Sequence, residues 1–275
     1  MAQYPDNVFL NNLGITINNE GGYARTIQSL RMKPTGSYEL STNGDTGKNI
    51  IGISGDDSDI KVYSHDAKSR WNERELQEAA LSGKNLVQLY LEAHNEAYQK
   101  KLDYIGFMGA KGSTGLLNYS GYTTTAAGKL ASAMTAAEMY TAISGLINAQ
   151  WAGCKNIMAY KANVVLMPDS VYNRLSTTVY STTGDNPASV LVALQKNFAG
   201  VQFISSARAE ADQLGGTSKT VAFSNNRNAM QFRLPVPLRT SNIFTRGFSF
   251  EVEGYFSVAG CDFLENTAFR GLSGL

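Results

Sequence analysis

The chain has 275 residues with 24 basic and 23 acidic side chains, a formal charge of +1. That length fits one large domain or two modest ones, and the balance excludes a broad basic nucleic-acid surface or an acidic tail. Only 17% of residues are charged, where about 25% is usual; Gly, Ser, Thr and Asn stand in for the missing charge, a surface that suits a subunit better than a free monomer.

In chain order, residues 1–23 come first. They are Asn-rich and carry isolated apolar residues (Val8, Phe9, Leu10, Leu13, Ile15, Ile17) without a sustained period, which reads as an arm. Residues 24–33 and 59–64 are strand-like and enclose a turn-rich stretch holding Gly36, Gly44, Gly47, Gly52 and Gly55. Two strand signals around such a segment predict a long hairpin. It has too few apolar side chains for a core of its own, and a connection that long argues for a functional loop. Arm and loop are therefore expected to find burial on neighbouring subunits. The expected assembly surface is Phe9, Leu13, Ile27, Leu30, Met32, Lys48, Ile50, Ile51, Ile53, Val62 and Tyr63.

Asn72 and Glu75 have capping-box spacing. Leu76, Ala79, Ala80, Gly83, Leu86, Val87, Tyr90, Ala93 and Ala97 then recur at three- and four-residue steps, predicting one helix to about Tyr104, a rod of roughly 50 Å. The glycines of 106–115 end it. Thr135 and Glu138 give a second capping box before the stripe Met139, Ile143, Leu146, Ile147 and Trp151. A buried strand is expected at 164–167 and a helix from Pro168–Asp169 to Leu175. Asn186–Pro187 should cap a helix over 188–197, and strands should follow at 201–204 and 220–223, completing a small α/β unit. Finally Phe248, Phe250, Val252, Phe256 and Val258 alternate with Ser249, Glu251, Glu253, Tyr255 and Ser257, a long half-buried strand.

Chemical motifs are weak. Gly47–Lys48 lacks a phosphate loop's first glycine (Thr42 stands there) and its hydroxyl (Asn49 stands there). The glycine run 106–115 follows a helix instead of a strand, against a dinucleotide site. Asp56, Asp57 and Asp59 lack calcium-loop spacing, and His65 and His94 have no metal partners at ligand spacing. No Gly-x-Ser-x-Gly elbow is present. Trp71 and Trp151 read as core, and the Asn118–Tyr119–Ser120 sequon carries little weight. Cys154 and Cys261 cannot build a disulfide framework or a metal-type pair. The first residues lack a signal peptide's basic and apolar regions, and no apolar run approaches the ~20 residues of a membrane helix. Folding in the cytoplasm is expected, with no catalytic, cofactor or metal residues.

The order of these parts resembles the major capsid proteins of tailed bacteriophages, of the Hong Kong 97-like fold. The residues carrying the likeness are Arg70-Trp71-Asn72-Glu73-Arg74-Glu75-Leu76 at the start of the spine helix and Gly112-Ser-Thr-Gly-Leu-Leu-Asn118 after it. They also include the strand–proline–helix element from Asn163 to Leu175 and the closing Gly254–Gly260 and Ala268–Leu272 segments. The resemblance implies an α+β fold with an N-terminal arm (1–23), an extended β-hairpin loop (24–70), a peripheral domain with a long spine helix (71–150 and 246–275) and an α/β axial domain (151–245).

It also implies a structural protein that self-assembles into hexamers and pentamers of an icosahedral head enclosing double-stranded DNA. Expected partners are further copies of the chain, a separate scaffolding protein, a portal, a decoration protein, and packaged DNA in weak non-specific contact, with no membrane. The expected place is the virion shell, assembled in the host bacterial cytoplasm. The N-terminal scaffolding segment of many members has no counterpart here, which suggests a separate scaffolding protein or a processed or short form. Some members join a loop lysine to a neighbour's asparagine; Lys48 is the candidate, without identified partners. The alternatives are an encapsulin-like nanocompartment shell and a hydrolase with a long loop.

Overall fold

A computed structural model describes residues 8–36, 51–110, 112–155, 157–181 and 188–275. A π-helical turn at Val8–Asn12 leads into β1 (Ile17–Asn18). The expected hairpin follows: β2 (Thr26–Thr35) pairs antiparallel with β3 (Gly52–Lys61), from Thr26 opposite Lys61 to Thr35 opposite Gly52. A strand outside the sequence reading, β4 (Tyr63–Asn72), comes next.

The expected single rod is two helices, α1 (Glu73–Leu81) and α2 (Leu86–Met108). Asn72 and Glu75 do form the capping box of α1. The chain then leaves the helix at Ser82, passes through Gly83 at a left-handed φ of +70°, and restarts with Asn85 accepting from the Gln88 N–H. A glycine beyond a helix end followed by a fresh cap is a stop and a start, so the long rod shrinks to about 35 Å of α2.

The rest runs through β5 (Thr124–Ala126), α3 (Ala136–Gly153), β6 (Val164–Met167), α4 (Asp169–Thr177), β7 (Val179–Ser181), β8 (Ala188–Ser189) and α5 (Val190–Asn197). Then come β9 (Gln202–Ser205), β10 (Lys219–Phe223), β11 (Met230–Arg233), β12 (Val236–Thr240), β13 (Phe244–Arg246), β14 (Ser249–Val258), β15 (Gly260–Phe263) and β16 (Phe269–Ser273). Thr135 and Glu138 cap α3 reciprocally, as expected. Helix α5 is capped by Ser189, which accepts from the Val192 N–H; Asn186 and Pro187 lie outside the described residues.

Two sheets organise the molecule. In one, β14 is paired along its whole length with antiparallel β4, from Ser249 opposite Asn72 to Val258 opposite Tyr63. Strands β12 and β13 pair with its other edge. The expected alternation of β14 holds for Val252, Phe256 and Val258, which are buried, but Phe248 sits before the strand and is exposed.

The other sheet has the order β5-β16-β10-β6-β9, and its strand β6 is buried on both faces. Val164 and Leu166 of β6 face one apolar cluster with Leu102, Ile105, Phe107 and Phe232; Val165 and Met167 face a second with α3, α4 and α5. Burial on both faces explains why 164–167 is an unbroken apolar run. It also joins α3 and β16, expected in the peripheral part, to β6, β9 and β10 of the expected axial part. Trp71 is buried, stacked on Tyr90 at 4.9 Å. Trp151 is half-buried and donates to the Ala162 carbonyl.

Candidate assembly surfaces

The arm residues do not form the open surface expected of them. Phe9 and Leu13 are wholly buried in their own chain's core. The Phe9 ring meets Phe107 and Phe232 edge-on at 5.2 and 5.6 Å, and its N–H donates to Asp103 Oδ1 at 3.1 Å. The ring lies on α2 where the helix has no side chain: a Cβ on Gly106 would stand 2.3 Å from Phe9 Cδ1. Strand β1 then adds to β11, Ile17 opposite Phe232, and Asn18 Nδ2 donates to Gln231 Oε1 at 2.8 Å. The physical reason for the correction is a groove over Gly106 shaped for an aromatic ring, which offsets the ordering cost of the arm locally.

The root of the hairpin is also held by its own chain. Ile27 is buried, and Ser29 Oγ donates to Asp262, lying 2.9 and 2.7 Å from its two carboxylate oxygens. Arg233 Nε and Nη2 donate to Asp262 Oδ2 at 3.1 and 3.0 Å, and Arg233 Nη1 reaches Glu20 at 3.2 Å. Asp262 is 1% exposed, so this fork of charge-assisted bonds ties β2, β11 and β15 together out of water, while Glu20, its side chain exposed, links the arm to Arg233 at the surface. Val62 donates to the Arg25 carbonyl and stays half-buried, as does Tyr63. Beside this root lies a cleft of about 440 Å³ lined by Arg31, Asp59, Lys61, Tyr63, Tyr119 and Asp262, among others. Tyr119 is stacked flat on Phe263 at 3.9 Å. Burial next to Asp262 pushes the Cys261 thiol up, which keeps it in its neutral form.

Beyond the root the hairpin is open. Leu30, Ile51 and Ile53 are exposed, and Asp56, Asp57 and Asp59 stand along the same ribbon in solvent. Met32 lies in β2; Lys48 and Ile50 lie outside the described residues. The structure thus brings Ile27, Val62 and Tyr63 together at the root, leaves Leu30, Ile51 and Ile53 projecting, and assigns Phe9 and Leu13 to the core.

One further surface was missed. On β14, Glu251 is buried, with Lys68 Nζ at 2.6 Å and Arg70 Nε at 3.6 Å. The Lys68 hydrogen bond holds its carboxyl below the usual carboxylate range, with Arg246 and Arg70 adding to the effect. Both histidines pack between α2 and this sheet: His94 is 2.9 Å from Ser69 Oγ, and His65 stacks on Phe256 at 5.0 Å. Among the described residues no group of three His, Cys, Asp or Glu side chains converges on a metal position. No helix among them is long and apolar enough to cross a membrane.

The chain matches the major capsid protein family model over residues 43–274. The chain belongs to that family. Among solved structures, it is 40% identical to the capsid of Myoviridae phage XM1, with a TM-score of 0.86, covering 100% of this chain and 94% of that one. The capsid of the native GTA particle shares 12% identity at a TM-score of 0.71, covering 99% and 92%. A structure of Mycobacterium phage Ogopogo shares 13% at 0.62, covering 99% and 94%. None of the curated proteins matches the chain. The fold is the Hong Kong 97-like capsid fold, and the family's role is structural, as a subunit of a phage capsid.

Proposed function

We propose that many copies of this capsid protein build hexamers and pentamers of an icosahedral tailed-phage head that encloses double-stranded DNA. The observation that carries the reading is the hairpin, rigidly rooted through the Ser29–Asp262–Arg233 bonds yet presenting Leu30, Ile51 and Ile53 to solvent. Exposed apolar side chains on a rigid ribbon call for a cover, and in a closed lattice every ribbon has a neighbour while many weak contacts act together.

In this reading the β2–β3 hairpin forms the extended loop that lies on an adjacent subunit, its expected end at residue 70 moved back because β4 pairs along β14. The β4–β14 sheet with α2 is the peripheral part. The five-stranded sheet with α3, α4 and α5 is the axial part around the capsomer axes, its limits moved from the sequence-based ones because α3 and β16 pack there. A separate scaffolding protein, a portal and a decoration protein complete the head, assembled in the bacterial cytoplasm, and DNA contact is weak and sequence-independent. The test is electron microscopy of the chain expressed with and without its scaffolding protein, together with nucleic-acid content of particles from infected cells. Closed shells filled with DNA support the reading. Shells filled with a protein cargo and no genome favour the nanocompartment, and a small species under every condition refutes both.

A further inference from the structure

Taking the shell reading as given, the open edge of β4 specifies a contact between two copies. Strand β4 is ten residues long, and its strand partner among the described residues is β14 alone. The phase of that ladder fixes what the other edge presents. The Glu73 N–H donates to the Phe248 carbonyl, one step beyond the Asn72–Ser249 pair. Hydrogen-bonded and non-hydrogen-bonded pairs alternate along an antiparallel ladder, so Tyr63, His65, Ala67, Ser69 and Trp71 bond to β14. The N–H and C=O groups of Ser64, Asp66, Lys68 and Arg70 therefore point away from it. The far side of β14 agrees in phase, since Glu253, opposite Lys68, turns its carbonyl outward to the Ser241 N–H.

Ser64, Asp66, Ala67, Lys68 and Arg70 are all exposed. A long unpaired edge is a template for a further strand. Lysine on an edge commonly guards against such pairing, but Lys68 is turned onto Glu251 of its own sheet at 2.6 Å. Lys68 and Arg70 share that one carboxylate, which leaves surplus positive charge beside the edge. Asp66 lies on the same face as Lys68 and has no ion-pair partner among the described residues. The edge thus carries both signs of charge next to each other.

That pattern is complementary to itself. A strand that pairs antiparallel with its own copy does so about a two-fold axis, an isologous contact. Outward-pointing residues must face outward-pointing residues, so the axis passes through one of residues 65–69. Centred on Asp66 or Lys68, it opposes that residue to itself. Centred on Ser69 it sets Lys68 against Arg70, and centred on His65 it runs Lys68 past the strand's end at Tyr63. Centred on Ala67 it places Asp66 opposite Lys68 and Ser64 opposite Arg70 on both sides of the axis, with no like charges opposed. We propose that β4 pairs antiparallel with β4 of an adjacent copy about a two-fold axis at Ala67, joining their sheets into one. Main-chain hydrogen bonds supply the adhesion, and the charge pairs fix the register and reject its neighbours.

Cysteine cross-linking tests it. Non-hydrogen-bonded partners of an antiparallel ladder have Cα atoms about 4.5 Å apart, within the range a disulfide spans, and the native Cys154 and Cys261 are buried. The wild-type chain is first assembled with its scaffolding protein; no particles at all would refute the shell reading, and the contact with it. In wild-type-like A67C particles, mild oxidant should convert most of the chain to disulfide-linked dimers. S64C, whose two copies would stand about 20 Å apart along the strands, should stay monomeric. Monomers alone from A67C, or equal linking by S64C, would overturn the pairing while the shell stands. D66K sets lysine against lysine on both sides of the axis, and D66P removes an outward N–H without touching the β14 ladder. Each is expected to lower particle yield by about tenfold or more with secondary structure unchanged; wild-type yield from either would overturn the pairing. The A67C result decides independently of how those two variants fold.

Discussion

Gly106→Ala reverses the sign usually expected of such a change. Replacing a glycine in a helix interior by alanine ordinarily stabilises by about 1 kcal/mol. Here the added methyl would sit 2.3 Å from Phe9 Cδ1, 2.4 Å from Cγ and 2.6 Å from Cε1, far inside contact distance. The ring cannot tilt away freely, because Phe107 and Phe232 hold it edge-on. Either α2 and the arm separate or the ring leaves; losing a buried phenylalanine costs about 3–5 kcal/mol, so a net loss of about 2–4 kcal/mol remains. Urea unfolding of the unassembled subunit measures the stability, and amide hydrogen exchange over residues 8–18 locates the change. In a Phe9→Ala background the same Gly106→Ala change should be neutral or stabilising, because the obstructing ring is gone. A Gly106→Ala protein as stable as wild type, with residues 8–18 still protected, would refute the reasoning.

Asp262→Asn should destabilise by about 3–5 kcal/mol, because the buried Arg233 guanidinium loses its buried carboxylate partner and is left with exposed Glu20. Ser29→Ala should cost only about 1 kcal/mol but speed hydrogen exchange at residues 26–30, read by mass spectrometry. Glu138 is held at about 2 by the Lys129 and Thr135 hydrogen bonds. Its folded value lies below the ordinary 4.5, so its contribution to capping α3 is complete above that value and disappears as pH falls towards 2; carboxyl chemical shifts in an NMR titration check this. Lys48 is expected to remain unlinked, giving a single monomer band when boiled particles are run in detergent, whereas a ladder of covalent oligomers would establish the cross-link.

Local signals were legible wherever the partner lay close in sequence. Both capping boxes and the run at 164–167 were readable because their causes are spacing and burial within a few residues; the hairpin was legible as a hairpin, but its second strand begins at Gly52, inside the stretch expected to be turn, and ends at Lys61. The break in the long helix was also present in the sequence, as Gly83 followed by Asn85, but the continuing apolar period masked it. Strand β4 escaped notice because Ser64, Asp66, Lys68 and Arg70 alternate with residues such as His65 and Ser69, which are polar yet buried to varying degrees. What could not be read was tertiary: a solitary Phe9 gives no hint that Gly106 will present a bare helix surface, and Ser29, Arg233 and Asp262 have no local pattern linking them. The hairpin's outward residues were recognised as unsatisfied, whereas the aromatic turn at Phe244–Phe248 was mistaken at Phe248 for a strand's inner face.

The most direct test of the shell account is a particle reconstruction at side-chain resolution. The account expects closed icosahedral shells with pentamers and hexamers, Phe9 seated over Gly106 of its own chain, and Leu30 and Ile53 covered by another copy. A particle in which those two residues rest on their own subunit, or a chain that never passes beyond a small oligomer with scaffolding protein present, would contradict it.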